Sequence, residues 1–474
     1  MNMPALVFIG VFGVAVLLAL KYPGYGFMVG LTLFYNIGGY LSPRAFGMPG
    51  FFTLLDLGLV FAFAIGLADR IVNKQTFIDN ALGRLLLICL FFSLYQIIVS
   101  IWVKLNIVTP TSLLREIVIH KWRIFGIYFS VPTYYIIQRY SREVFQVICW
   151  VTGIVLISYF LTLLTPLDLI PIERFERGFG ETVQRTTIYN YGYMIMTIPL
   201  ALIGLLLKNR IKPRLLLLSC GLGMLITILM TLTRITIMTT AGVIFLSFFL
   251  IKKLFRLKHS SVVRRAGIFV LIGLIILMSI SGVFSSLYEV FKLSAYEVIG
   301  KVAPGTTDTR SQFEIAVMLP LFLKNMLTGT GYLSDYFSSY HTRYELGLAD
   351  LPILGNLAIY GLVGFLIYLA RYLAIHGRIL LFIRKFRPES LLSALTSYDI
   401  ILLLWAVIHF YALVFFRFFM FSVDLVYDWE AVDMGFLIGV LYGLLQKYRR
   451  SDLSVGNTPL NPSLSAGSES RKAL

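Results

Sequence analysis

Apolar residues in this chain fall into long runs rather than the one-faced or alternating patterns of a soluble fold. Runs of about 20 residues, the length that crosses a bilayer as a helix, recur at 4–20, 25–41, 51–68, 85–103, 117–137, 144–164, 188–207, 214–232, 235–251, 266–285, 353–372, 397–416 and 430–446. This predicts about thirteen transmembrane helices, within a range of about twelve to fourteen. Several runs contain Gly or Pro, which lipid-embedded helices tolerate when neighbours re-satisfy the backbone. No internal repeat is visible at a short period or at the scale of half the chain. The expected fold is an all-α polytopic membrane protein with a single transmembrane domain over 1–450. The stretch 451–474, with its Ser, Pro, Asn and Gly, is expected to be a disordered cytoplasmic tail.

Composition points the same way. Of 474 residues, 58% are apolar and 14% charged, too few polar residues to cover a soluble fold of this length. A soluble enzyme, a disordered chain and a disulfide scaffold are all excluded. The formal charge of +17, from 41 Lys and Arg against 24 Asp and Glu, fits basic cytoplasmic loops facing anionic lipid. Nucleic acid is not an expected partner, because no basic run is interleaved with stacking aromatics. Cys89, Cys149 and Cys220 lie inside apolar runs without metal-ligand spacing and are expected as small packing residues. The first run has no basic stretch ahead of it and is expected to be a span rather than a cleaved signal.

Basic residues set the orientation. One set of alternate connections holds Lys21; Arg70, Lys74 and Arg84; Arg139 and Arg142; Lys208 to Arg214; Lys252 to Arg265; and Arg371, Arg378 and Arg384. The opposite set is poorer in them, and its 417–433 connection is acidic, with Asp424, Asp428, Glu430 and Asp433. The positive-inside rule then puts the C-terminus in the cytoplasm and, with an odd count, the N-terminus outside.

Two outward connections are longer than a tight turn. The first, 165–187, contains Arg174, Arg177 and Arg185; the second, 286–352, lies between the tenth and eleventh spans and contains Arg310 and Arg343. Long loops in compact proteins are usually functional, and outward arginines run against the topological trend. Arg234 stands in Thr231-Leu-Thr-Arg-Ile-Thr-Ile-Met-Thr-Thr240, between two apolar runs. It reads either as a snorkelling interface residue or as a guanidinium held for an anion. Arg115, His120, Lys121 and Arg123 open the fifth span and suit an anionic lipid headgroup or a phosphate.

Guanidinium groups bind phosphate in bidentate fashion and stay charged at any biological pH. An outward cluster of them at membrane level suits a lipid diphosphate whose tail remains in the bilayer. In group transfer from such a lipid, fixed positive charge stabilises the departing diphosphate more than the ground state. The attacking hydroxyl needs a base, and Asp350, His341, Glu345 and Asp335 are the candidates. The alternative reading of His341 is a solvated loop residue, and that of Asp350 an interface-marking carboxylate. The sequence presents no metal-ligand constellation and no nucleotide-binding glycine loop; Gly329-Thr-Gly331 is too short to cradle a phosphate.

These residues resemble the O-antigen ligase and O-antigen polymerase superfamily. The resemblance rests on an Arg closing a Thr-rich span, then a long outward loop near three-quarters of the chain. Within that loop, Asp308-Thr-Arg310-Ser-Gln-Phe313 leads to Leu327-Thr-Gly329-Thr-Gly331-Tyr332. Asp350-Leu-Pro-Ile-Leu354-Gly-Asn-Leu357-Ala-Ile-Tyr-Gly361-Leu-Val-Gly364 then stands in the register where the family begins its next span. The resemblance implies a GT-C-type helical fold without a metal or other cofactor, and an undecaprenyl-diphosphate-linked glycan as donor. It makes Arg234 and Arg310 the diphosphate-binding pair; the outward position of Arg185, Arg177, Lys121 and Arg123 makes them further candidates. Asp350 falls where ligases carry a catalytic histidine, and an acid there is more usual in polymerase-like members. His341, nine residues earlier, does not match the spacing.

The expected activity is a polysaccharide polymerase of the bacterial inner membrane, its site facing outward and its partners membrane lipid and a chain-length regulator. A ligase transferring glycan to lipid A core or to protein is the alternative within the class. From outside it, a lipid-linked oligosaccharide transporter would carry repeats and midplane charges, and a purely structural membrane partner would not need outward arginines.

Overall fold

The computed structural model describes residues 3–37, 54–75, 77–105, 121–167, 169–170, 172–179, 181–188, 192–206, 214–230, 234–255, 264, 267–269, 271–272, 319–331, 353–384, 391, 395–414 and 428–456. Among these the protein is a helical bundle with one two-stranded hairpin. The first helices are α1 (Met3–Lys21), α2 (Pro23–Tyr35), α3 (Leu54–Val72), α4 (Asn80–Leu105) and the short α5 (Lys121–Phe125). A 3-10 turn, Gly126–Phe129, leads into α6 (Ser130–Leu164). The hairpin strands are β1 (Ile172–Phe179) and β2 (Glu181–Ile188). Then come a 3-10 turn at Gly192–Met196, α7 (Thr197–Leu206), α8 (Arg214–Met230), α9 (Arg234–Phe255), α10 (Leu319–Lys324), α11 (Ile353–Arg384), α12 (Ser397–Tyr411) and α13 (Asp428–Gly456). The last helix thus runs to Gly456, past Ser451, where the tail is expected to begin.

Among the described residues, four helical stretches are long and apolar enough to cross a membrane: Asn80–Trp102, Gly126–Leu164, Ile353–Arg384 and Ser397–Val414. Their surfaces give an independent argument. On α4, Leu87, Phe91, Leu94, Ile98 and Trp102 are exposed, while Ser93, Gln96 and Ser100 are buried. On α6, Trp150, Ile154, Ile157, Leu161 and Leu164 form the same kind of exposed stripe. A soluble helix turns its apolar stripe inward; these helices turn it outward at spacings of three and four, as a helix in lipid does.

The interior is organised by α12 and α13. Every residue from Asp399 to Ile408 is buried, consistent with a helix that is apolar all round. On α13, Gly435, Gly439 and Gly443 form a ridge of small residues on one face. A Cβ at Gly435 would meet the Gly126 carbonyl oxygen at 2.5 Å, one at Gly439 the Thr133 Cβ at 2.4 Å, and one at Gly443 an Ile137 methyl at 2.5 Å. Such residues let two helix backbones approach closely where the hydrophobic effect supplies no drive between helices.

Among the described residues, two helices are broken. In α6 the break is at Tyr140 (φ −118°, ψ 27°), between Arg139 and Arg142, where the basic pair predicts a connection between spans. In α11 it is at Gly361 (φ 65°, ψ 179°).

Arg371 corrects the sequence reading, which assigns it to a cytoplasmic connection. The residue sits inside α11 at 2% exposure. Its guanidinium lies 4.9, 5.0 and 5.3 Å from the ring centroids of Tyr372, Tyr368 and Phe92, and Nη2 donates to the Tyr372 hydroxyl at 3.4 Å. The planar, weakly hydrated guanidinium can stack on aromatic faces in a way an ammonium cannot, which lets the helix continue past it. The polar end is reached at Arg378, paired with Asp79 at 2.7 Å.

Candidate functional site

The charged and hydroxyl groups at the hairpin end of the bundle come from five elements. Asp56, in the first turn of α3 and 5% exposed at its side chain, accepts from the Lys121 ammonium at 2.9 Å. Its other oxygen accepts from the Trp122 indole N–H. Trp122 packs edge-on against Phe34 of α2, ring centroids 6.3 Å apart. One residue on, the Tyr35 hydroxyl donates to Asp433 of α13, and its ring meets that of Tyr193 edge-on at 5.9 Å. The Thr32 hydroxyl donates to the Met28 carbonyl at 2.7 Å, which leaves the Tyr193 hydroxyl as donor in their 2.5 Å contact.

Sequence reasoning missed most of this cluster. Asp56 is an acid within an apolar run, the one signal that marks a buried ionic site in a membrane protein. Asp433 and Glu430 read as part of an acidic loop, yet both stand within α13, and Glu430 is 4% exposed. Tyr35 and Tyr193 carry no pattern that separates them from other interface tyrosines.

The hairpin occupies the first expected outward loop. Its antiparallel register sets Arg177 opposite Val183 and Arg185 opposite Phe175. Residues 175 and 177 lie two apart in one strand, and directly paired residues share a face, so positions 177 and 185 are diagonal neighbours on the same face. Position 174, paired with Thr186, belongs to the other face. Arg234 is the first residue of α9. Lys121 and Arg123 both lie in α5, and the Lys121 charge is already balanced by Asp56. Arg310, His341 and Asp350, with Arg115, His120, Asp335, Arg343 and Glu345, lie outside the described residues.

The two glycine-bearing motifs of the long connection are brought together. An unbroken helix would bond the Leu362 N–H to the Ala358 carbonyl and the Val363 N–H to Ile359. Here Leu362 donates to the Met326 carbonyl at 2.8 Å and Val363 to Leu327 at 3.1 Å. The released carbonyls of Ala358 and Ile359 accept from Thr330 at 2.9 Å and Gly331 at 3.0 Å. A turn is thus inserted into the break, and it satisfies these four backbone groups, which lipid could not. Gly329 and Gly331 have φ 73° and 69°, a region that costs an L-residue roughly 1–2 kcal/mol. The glycines shape this docking; they are not a phosphate cradle.

The chain is matched by no curated protein. Residues 219–369 match the family model described as O-antigen ligase, a stretch that contains Arg234, Arg310, His341 and Asp350 and both halves of the docked turn. Over this segment, about a third of the chain, the sequence is similar to the O-antigen ligase and polymerase superfamily, whose members are membrane glycosyltransferase-like enzymes.

Proposed function

We propose that this protein is a polysaccharide polymerase that joins undecaprenyl-diphosphate-linked glycan repeat units at the outer face of the bacterial cytoplasmic membrane. The observation that carries the reading is the acid at position 350 inside a ligase-type segment, three residues before α11 begins. The hydroxyl of an acceptor unit attacks the anomeric carbon of the donor sugar, and the bond from that carbon to the diphosphate oxygen breaks with inversion. The hydroxyl proton passes to Asp350, and undecaprenyl diphosphate leaves. Arg234 and Arg310 hold the diphosphate, with Arg177 and Arg185 on one face of the hairpin assisting. Their charge offsets the negative charge that grows on the leaving group, the step where fixed charge contributes most. Arg123, with Lys121 beside it in α5 and paired to Asp56, serves the lipid headgroup side of the same substrate. The fold in this reading is of the GT-C type, one transmembrane domain over 1–450, and it needs no metal. Its partners are the lipid-linked donor and acceptor, bilayer lipid and a chain-length regulator.

The test is the purified protein with a synthetic undecaprenyl-diphosphate repeat unit and a chelator, the products separated by length. A ladder of lengthening glycans is expected from the wild type and not from Arg310→Ala or Asp350→Ala. The second reading is a ligase, favoured by the description of the matched family and by His341. It requires an acceptor other than a lipid diphosphate and an activity lost in His341→Ala but retained in Asp350→Ala.

A further inference from the structure

Tyr95 of α4 stands at the junction between the docked turn and the broken helix. Its hydroxyl lies 2.9 Å from the Thr328 carbonyl oxygen, 3.1 Å from that of Tyr360 and 3.4 Å from that of Leu327. A hydroxyl has one proton to give, so this one is shared between a carbonyl of the turn and a carbonyl beside the break. Gly364 makes room for the ring: a Cβ there would lie 2.6 Å from Tyr95 Cε1. One turn and a half further along α4, Ser100 closes over the end of the turn, 2.9 Å from where a Cβ on Gly331 would be. Three separate pieces of chain thus meet at one phenol.

We propose that Tyr95 is a positioning residue for the reaction described above: its hydroxyl holds the Leu327–Gly331 turn in the Gly361 break, and turnover depends on that hold. The inference rests on the polymerase reading. The turn and the first part of α11 flank residues 332–352 in sequence, with His341 and Asp350 between them, and α10 and the turn follow Arg310. The four exchanged backbone bonds tie these flanks to each other, and Tyr95 ties both to α4, which makes no peptide connection with either. A site whose groups come from different segments loses rate steeply when their spacing drifts by an ångström. Tyr95 touches no reacting group in this scheme, so its loss acts on kcat rather than on donor binding.

The experiment compares wild type, Tyr95→Phe and Tyr22→Phe in lipid nanodiscs, reading donor turnover and the amide deuterium uptake of 327–331 and 358–363. Phe keeps the ring that fills the space at Gly364 and removes only the hydroxyl. Tyr22→Phe removes the hydroxyl of an exposed tyrosine between α1 and α2, away from the turn and the break, and is the control. Tyr95→Phe is expected to raise uptake in both peptides about tenfold and to lower kcat at least tenfold, with KM for the donor within about twofold; Tyr22→Phe is expected to match wild type in kcat and in uptake. Wild-type kcat in Tyr95→Phe, or a lowered kcat with unchanged uptake, overturns the proposal. A wild type with no turnover would instead sink the polymerase reading, and the uptake comparison would still decide whether Tyr95 holds the turn.

Discussion

A Cβ built on Gly361 would lie 2.3 Å from the amide nitrogen of Gly329, and one built on Gly329 would lie 2.4 Å from that of Gly361. Both residues have positive φ. Each glycine is therefore required twice, for its own backbone conformation and for the approach of the other's.

Gly361→Ala is expected to destabilise the protein by more than the roughly 1–2 kcal/mol of left-handed strain alone, because the clash is with backbone and no side chain can move aside. The melting temperature of the detergent-solubilised protein, followed by gel filtration after heating, should fall clearly. Gly377 of the same helix has nothing within 4 Å of its Cβ position, and Gly377→Ala should be neutral or stabilise by up to about 1 kcal/mol. Equal melting of the two variants would show that the turn does not hold the break.

The Lys121–Asp56 pair supplies a coupling measurement. Removing the cation leaves a carboxylate at 5% exposure with the Trp122 indole but without its counter-charge, a change that costs about 3–5 kcal/mol for buried pairs. Lys121→Ala should therefore cost more than the double variant Lys121→Ala/Asp56→Asn. Strict additivity in a double-mutant cycle would mean that the two groups do not interact.

Asp399 starts α12 with no side-chain exposure. It accepts from the Thr396 backbone N–H at 2.9 Å and hydroxyl at 2.8 Å, and pairs with Lys447 at 2.8 Å. Asp399→Ala removes the carboxylate half of the capping box and the acid that pairs with Lys447. The cost should exceed that of Thr396→Ala, which removes the hydroxyl half of the capping box at about 1 kcal/mol. The reverse order in thermal denaturation would assign the stability to the cap alone.

The lipid-facing stripe of α4 is open to spin labelling. Nitroxides at positions 94 and 98 should collide readily with oxygen and poorly with a water-soluble nickel chelate, while a label at Trp102 should shift toward the chelate as the helix nears its end. High chelate access at all three positions would place this face in water and remove α4 from the membrane.

How much of this was legible depended on the kind of signal. A run of apolar residues is a local property, and the bilayer reads it locally, so the helical class, the stretches around α4, α6, α11 and α12 and the superfamily motifs follow from sequence. Arg139 and Arg142 bracket the Tyr140 break, where the sequence reads a connection between two spans and the structure has one kinked helix. Arg371 also departs from the reading of basic residues as marks of a connection. Its burial depends on Phe92, 279 positions away in sequence, and on rings of its own helix. Asp56 and Lys121 are 65 positions apart, and Tyr35 and Asp433 398 apart; no spacing rule joins residues on different helices. The glycine motifs were visible as motifs, yet what they do required the fold. Two backbone segments must exchange hydrogen bonds in a medium without water to satisfy them, and only their tertiary meeting makes a broken helix affordable there.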